Sequence, residues 1–268
     1  MKSHPSRWIG PARCAGAFLG IALLTVSPFA FAEVSMRLGA GVEYFNWREY
    51  DDLEHRKAVD ETGPRAVATL DLSAGVARRT DLIVRGRLYG GEVDYDGELN
   101  DPAHTPLSSK TDYLGLAVEG GFSFKPRNHR GDTASVILTF GVDDWTRELK
   151  GIYGYDEEYT IMFVRLGAEA QDRRWTARGG MLLPVDADEH IDVWGGLDLK
   201  PETNPWFYIG VGYRFNEALE LALDYQGYRF DVSDPVAVDV DGDGAVDGYA
   251  WQPRSEQDTL TITLRAGF

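Results

Sequence analysis

Three stretches of this chain hold residues whose types and spacing could do chemistry. The first is Asp239-Val-Asp241-Gly-Asp243-Gly-Ala245-Val-Asp247. A calcium ion takes about six to eight oxygen ligands, and aspartates at alternate positions wrap carboxylates around one centre. Gly244, sixth in the run, supplies the sharp turn such a loop needs. Asp239, Asp241, Asp243 and Asp247 are therefore the candidate metal ligands, with calcium as the cofactor, against the alternative of a solvated acidic loop. The second candidate is a pair of segments, Gly90-Gly91-Glu92-Val93-Asp94-Tyr95-Asp96 and Asp186-Ala187-Asp188-Glu189-His190. An imidazole with a carboxylate partner is tuned for proton transfer near neutral pH. The third, Asp143-Asp144-Trp145, reads as the rim of a strand. The sequence shows no nucleotide loop, no Ser-His-Asp ordering and no zinc motif. The one cysteine, Cys14, lies in the amino-terminal leader, so the rest of the chain has neither disulfides nor thiol chemistry.

These candidates hang on elements best seen at the carboxy end. From Thr259 to Phe268, Leu260, Ile262, Leu264, Ala266 and Phe268 form one file, and Thr259, Thr261, Thr263, Arg265 and Gly267 the other. Successive side chains of a strand point to opposite faces, so this strand has a greasy side and a polar side. Its length suits a tilted crossing of a bilayer; the alternative is the edge strand of a soluble sandwich. At the amino end, Lys2, Arg7 and Arg13 precede an apolar stretch from Ala15 to Phe31, and Ala30-Phe31-Ala32 supplies a small-x-small cleavage site. Residues 1–32 read as a secretory signal peptide and 33–268 as one exported domain. The formal charge is −16, from 43 acidic and 27 basic residues, and the leader holds three of the basic ones and no acid. Such a domain disfavours nucleic acid and favours cations or basic peptides.

In chain order, alternation predicts strands over 34–45, 66–76, 82–90, 113–124, 133–143, 159–170, 175–183, 206–215, 219–230 and 259–268. Short turns alternate with long polar loops, predicted over 47–65, 91–112, 144–158 and 231–258. The pattern predicts an all-β fold, a closed antiparallel transmembrane β-barrel with short periplasmic turns and long outer loops. The segment 192–199 alternates weakly and is assigned to the fourth outer loop, as strand extending above the membrane. That gives ten strands, with eight or twelve as alternative counts. Tyr44, Trp47, Tyr113, Trp145, Trp206 and Tyr228 gather at strand ends, where interface girdles would lie.

With this phase the inward positions carry Arg37, Arg85, Arg87, Arg165, Arg178, Arg214 and Arg265. They also carry Glu43, Asp71, Glu119, Asp143, Glu169, Glu220 and Asp224. Paired charges are tolerated in a narrow interior where lone ones are not. The expectation is an ion-paired plug; the rival reading is a small polar channel.

Three resemblances add to this. The final strand, ending on Phe268, resembles the last strand of bacterial outer-membrane β-barrels. There a terminal Phe is the usual insertion signal, which implies the outer-membrane lipid, lipopolysaccharide and the barrel-assembly machinery as partners. The 239–247 run is similar to the calcium loops of EF-hand and dockerin modules, although its twelfth position is Ala250. The order of elements, with Asp94 and Asp96 after the third strand and Asp188 and His190 after the seventh, resembles the omptins. Those are ten-stranded outer-membrane proteases with a cleft at the outer mouth. The resemblance implies that His190 accepts a proton from water, that Asp188 orients the ring, and that Asp94 and Asp96 position the nucleophile. Three readings of function follow: a closed, non-catalytic surface barrel binding cations or a partner; an omptin-like endopeptidase cleaving basic peptides; and a narrow cation-preferring porin.

Overall fold

Why the alternating runs form a ring is plain from their register. The computed structural model describes residues 34–51, 56–98, 104–126, 133–151 and 154–268; the predicted signal peptide lies outside them. The chain forms β1 (Val34–Asp51), β2 (Arg56–Ala77), β3 (Thr80–Glu98), β4 (Pro106–Phe124), β5 (Thr133–Leu149), β6 (Asp156–Gln171) and β7 (Trp175–Ile191). There follow β8 (Leu197–Leu199), β9 (Glu202–Asn204), β10 (Trp206–Arg214), β11 (Leu219–Asp231), β12 (Val236–Val238), β13 (Gly248–Ala250) and β14 (Arg254–Gly267). Strands β1 to β7, then β10, β11 and β14, pair antiparallel in sequence order. The ring closes where β14 meets β1, from Arg37 opposite Gly267 to Tyr50 opposite Arg254. The fold is thus all-β, a closed antiparallel ten-stranded barrel. Closure leaves no free edge, which is what a strand-built membrane span requires.

The predicted outward files are the exposed ones. Val34, Leu38, Val42, Leu88, Leu116, Phe140, Leu166, Ile209, Leu223, Ile262 and Leu264 stand on the outside, each at least two-fifths exposed. Inward glycines make room for what crosses the lumen. A side chain at Gly115 would collide with the Tyr89 ring, 2.4 Å from its Cζ, and one at Gly141 with Phe163, 2.5 Å from its Cζ.

Two expectations need correcting. The predicted outer loops 47–65, 91–112 and 144–158 are mostly strand: β1 runs on to Asp51, β3 to Glu98 and β5 to Leu149, while β2, β4 and β6 begin at Arg56, Pro106 and Asp156. The physical reason is an inversion of the pattern. Below Tyr44 the outward residues of β1 are apolar; above it they are Asn46, Arg48 and Tyr50, and the buried residues are Phe45 and Trp47. The same switch occurs on β3, where Glu92, Asp94 and Asp96 face out and Val93 and Tyr95 are buried. Above the apolar belt the outside is wet and the lumen is dry, so a strand continues while its file of greasy residues changes face.

The second correction concerns the girdle. Tyr44 is exposed at the belt's upper edge, but Trp47, Tyr113, Trp145 and Tyr228 are buried inside the barrel.

The segment 192–199 does lie outside the ring: β8 pairs with β7, Glu189 opposite Leu199. Strands β12 and β13 form a separate hairpin, whose Val238 packs with Leu197 and Leu199 of β8.

Candidate functional site

At the belt's level the lumen is filled by charge pairs. Arg85 reaches Glu119, Glu169 and Asp71 at 3.4, 3.4 and 3.5 Å, and Arg165 holds Glu119 at 2.8 Å. Arg87 bridges Glu43 at 3.0 Å and Asp143 at 3.4 Å. Asp224 takes Arg178 and Arg265, each at 2.6 Å. Glu220 meets Arg265 at 3.4 Å, Arg37 at 3.5 Å and Arg214 at 4.0 Å. A polar cavity of about 110 Å³ remains among them, lined by Arg85, Arg87, Arg178, Arg265, Asp71 and Asp224 among others.

Above this network the lumen is bridged by rings. Trp47 of β1 meets Tyr159 of β6 edge-on at 5.5 Å, and these strands stand on opposite sides of the ring. Trp145 stacks on Tyr159 at 5.0 Å and reaches Tyr228 of β11 at 6.2 Å. Phe230 lies 6.0 Å from both Trp47 and Tyr228. Arg65 sits over Phe45 at 3.8 Å and over Tyr89 at 4.6 Å, and its guanidinium pairs with Glu43 at 2.5 Å.

Higher still lies a buried polar cluster that the sequence reading missed. Arg147 holds Glu61 at 2.5 Å, pairs with Glu157, and approaches Glu49 at 3.8 Å. Glu61 also accepts from the Tyr113 hydroxyl at 2.5 Å and the Thr111 hydroxyl at 3.2 Å. Glu189 accepts from the Tyr159 hydroxyl at 2.8 Å, and the side-chain amide of Gln252, once its O and N are exchanged, donates to it at 3.1 Å. Three carboxylates thus share one guanidinium, and Glu189 is held beside them by Tyr159 and Gln252. Each lies in or beside a stretch read as loop; the signal that could have found them is the period-two spacing of Trp47 with Glu49 and of Arg147 with Trp145.

The omptin-like residues are not brought together. Asp94 and Asp96 project from the outer face of β3, where Asp94 pairs with Lys110 and Asp96 accepts from the Ser108 hydroxyl at 2.8 Å. Asp188 and His190 project from the outer face of β7. Asp188 pairs with Lys200 at 2.8 Å, and the His190 ring bonds through Nδ1 to Asp198 of β8, at 2.7 Å, not to Asp188. The cause on β7 is a bulge. Pro184 pairs with Phe163 and Asp186 with Met162, so Val185 is an additional residue and the alternation reverses beyond it. Ala187 and Glu189 are therefore the inward, buried pair. Asp143, from the third candidate, is also inward and fully buried, holding the hydroxyls of Tyr89 at 2.8 Å and Tyr228 at 3.1 Å.

The last loop does gather its acids. Ligand oxygens of Asp239, Asp241 and Asp247 lie within 4.8 Å of one another. Backbone N–H groups of Gly242 and Gly244 each donate to Asp239 at 2.7 Å. Those bonds, with that of Gly244 the strongest, hold the Asp239 carboxyl below its ordinary range. Gly242 and Gly244 adopt φ of 77° and 89°, which only glycine takes without strain. Asp243 turns its carboxylate back on the Ala245 N–H at 2.7 Å, outside the trio. Carboxylates spaced in this way suit an oxygen-loving divalent ion.

No protein-family model matches the chain, and no curated protein matches it. Among solved structures it is similar to the outer membrane protease OmpT from Escherichia coli, with a TM-score of 0.58 and 11% identity over 91% of this chain and 99% of that one. The translocator domain of the autotransporter NalP from Neisseria meningitidis gives 0.41 at 11% identity, covering 87% of this chain and 88% of that one. An outer membrane channel from Pseudomonas putida F1 gives 0.38 at 13%, covering 91% and 100%. At such identities the likeness to OmpT is one of fold, and the fold is that of an outer-membrane β-barrel.

Proposed function

We propose that this chain resides in the bacterial outer membrane as a closed, non-catalytic surface barrel that binds cations at its acidic outer face. Closure carries the reading: rings from opposite walls touch across the lumen, between Trp47 and Tyr159 and between Trp145 and Tyr228. With the passage filled, the chemistry left to the chain is on its outside. There Glu92, Asp94, Asp96, Asp144, Glu158 and Asp188 stand outward above the apolar belt. The 239–247 loop is the part best suited to a divalent ion, calcium by preference, because three carboxylates converge on one point. The endopeptidase reading would need Asp94, Asp96, Asp188 and His190 to face one another across the mouth, and they face away from it.

Titration calorimetry with calcium, on folded barrel in detergent, tests the reading. Wild type should give saturable heat that Asp241→Ala removes, and neither protein should cleave a peptide library rich in Arg-Arg and Lys-Arg bonds. A wild type without heat sinks the calcium site. Cleavage that His190→Ala abolishes would restore the endopeptidase.

A further inference from the structure

The charge of this chain is unevenly divided between its two ends. The net charge is −16, and the strand ends above the belt carry outward acids, among them Glu92, Asp94, Asp96 and Asp188. The short turns at the other end carry the reverse. The β2–β3 turn is Arg78-Arg79, and the β6–β7 turn is Asp172-Arg173-Arg174. All four arginines are exposed, and among the described residues none of them pairs with a carboxylate. The acids nearby are engaged. Asp81 pairs with Lys125 at 2.6 Å, and Asp172 accepts the backbone N–H groups of Arg174 and Trp175, both at 2.7 Å.

Backbone bonds set each arginine pair beside lipid-facing rings. The Lys125 N–H donates to the Arg79 carbonyl at 2.8 Å, which places that turn at the end of β4. There Phe122 and Phe124 are exposed, with their rings 6.2 Å apart. The Arg214 N–H donates to the Arg174 carbonyl at 2.7 Å, and the Arg174 guanidinium donates to the Tyr213 hydroxyl at 3.2 Å. Tyr213 meets Trp175 edge-on at 4.9 Å and Phe215 edge-on at 5.3 Å, and both of those rings are exposed. Aromatic rings on the outside of a membrane barrel mark the level of the membrane–water interface. The four guanidiniums therefore stand at the level of headgroup phosphates. A dissolved polyanion would need the cations and have no use for the rings; a lipid uses both.

We propose that the short-turn rim is a binding surface for anionic phospholipids of the leaflet it faces. Arg78 with Arg79, and Arg173 with Arg174, each take a phosphodiester headgroup that carries no amine of its own. The guanidinium fork fits two phosphate oxygens. A zwitterionic headgroup brings a cation that these arginines repel. The surface rests on the outer-membrane placement, with short turns toward the periplasm, and is separate from the acidic loop at the opposite end.

Native mass spectrometry of the full folded barrel in non-ionic detergent reads the preference, with dioleoyl phosphatidylglycerol or dioleoyl phosphatidylcholine added. It needs only folded protein, so it can fail while the outer-membrane placement stands. A basic residue near an anionic surface is worth about fivefold in affinity, so two per headgroup should give the wild type a preference of about twentyfold for phosphatidylglycerol. Replacing all four arginines by Gln should leave the two lipids binding alike, with the denaturant midpoint unchanged because no carboxylate loses its partner. Lys110→Gln combined with Lys200→Gln, at the acidic end, should keep the preference. Equal binding of the two lipids by the wild type overturns the proposal. So does a preference that survives the four-residue variant, and so does one that the lysine variant abolishes. Binding of soluble muropeptides in place of phosphatidylglycerol would assign the rim to the cell wall and overturn it as well.

Discussion

At the scale of single residues, Arg147 carries the heaviest duty in the outer half of the lumen. It is the one guanidinium among Glu49, Glu61 and Glu157, and its side chain is 3% exposed. Removing one partner of a buried pair leaves the other charges without relief, at a cost of about 3–5 kcal/mol. Arg147→Met should therefore lower barrel stability by about that amount, read from the denaturant midpoint of folded barrel in detergent. Arg147→Lys keeps the charge and loses the fork that spans Glu61 and Glu157, so it should lie between. A midpoint unchanged in Arg147→Met would mean that the carboxylates are protonated or solvated, and that the cluster is not an ion-paired cap. This residue was illegible in the sequence, whereas Arg85, Arg87 and Arg165 could be placed on strands. Those three alternate with apolar neighbours and so declare a membrane-crossing strand. Arg147 alternates with Thr146 and Glu148, and polar residues on both faces look like loop.

At the scale of elements, the bulge in β7 decides which side chains enter the lumen. Leu182 is inward and fully buried; beyond Val185 the inward set is Ala187 and Glu189. Deleting Val185 would carry the alternation through unbroken. Pro184, inward, would then be followed directly by Asp186, outward, so Ala187 and Glu189 would keep their inward places and Glu189 its bonds to the Tyr159 hydroxyl and Gln252. The deletion should therefore still give the compact, heat-modifiable form in gel electrophoresis, as should Val185→Ala, which keeps the bulge. A deletion variant that fails to become compact would show that the bend at the bulge is itself needed. No sequence pattern announces an additional residue of this kind, and for that reason the Asp188 and His190 pair could be read as lining a mouth that it does not face. By contrast the ten strands and their belt-level phase were legible, because membrane and lumen impose opposite polarity on successive residues over nine or more positions, as from Leu260 to Phe268.

For the whole molecule the question is whether ten strands enclose a passage. The ring is wide enough for its side chains to fill it, and they do so in three tiers. At the belt lie the salt bridges; above them the rings of Trp47, Trp145, Tyr159, Tyr228 and Phe230; above those Arg147 and its carboxylates. An ion crossing the aromatic tier would give up its hydration between rings whose two hydroxyls, of Tyr159 and Tyr228, are already bonded to Glu189 and Asp143, and the tier is anchored from both walls. Purified wild-type barrel in a planar bilayer should accordingly show no stable conductance steps. Trp145→Ala combined with Tyr159→Ala removes the stacked pair that joins Trp47 to Tyr228. If that tier is the barrier, the double variant should open to small steps. The acids above, Glu49, Glu61, Glu157 and Glu189, would favour cations in them. Large, stable, cation-selective steps from the wild type would sink closure and promote the porin. A double variant that stays silent while folded would move the barrier down to the salt bridges, where Arg87→Ala is the next residue to test.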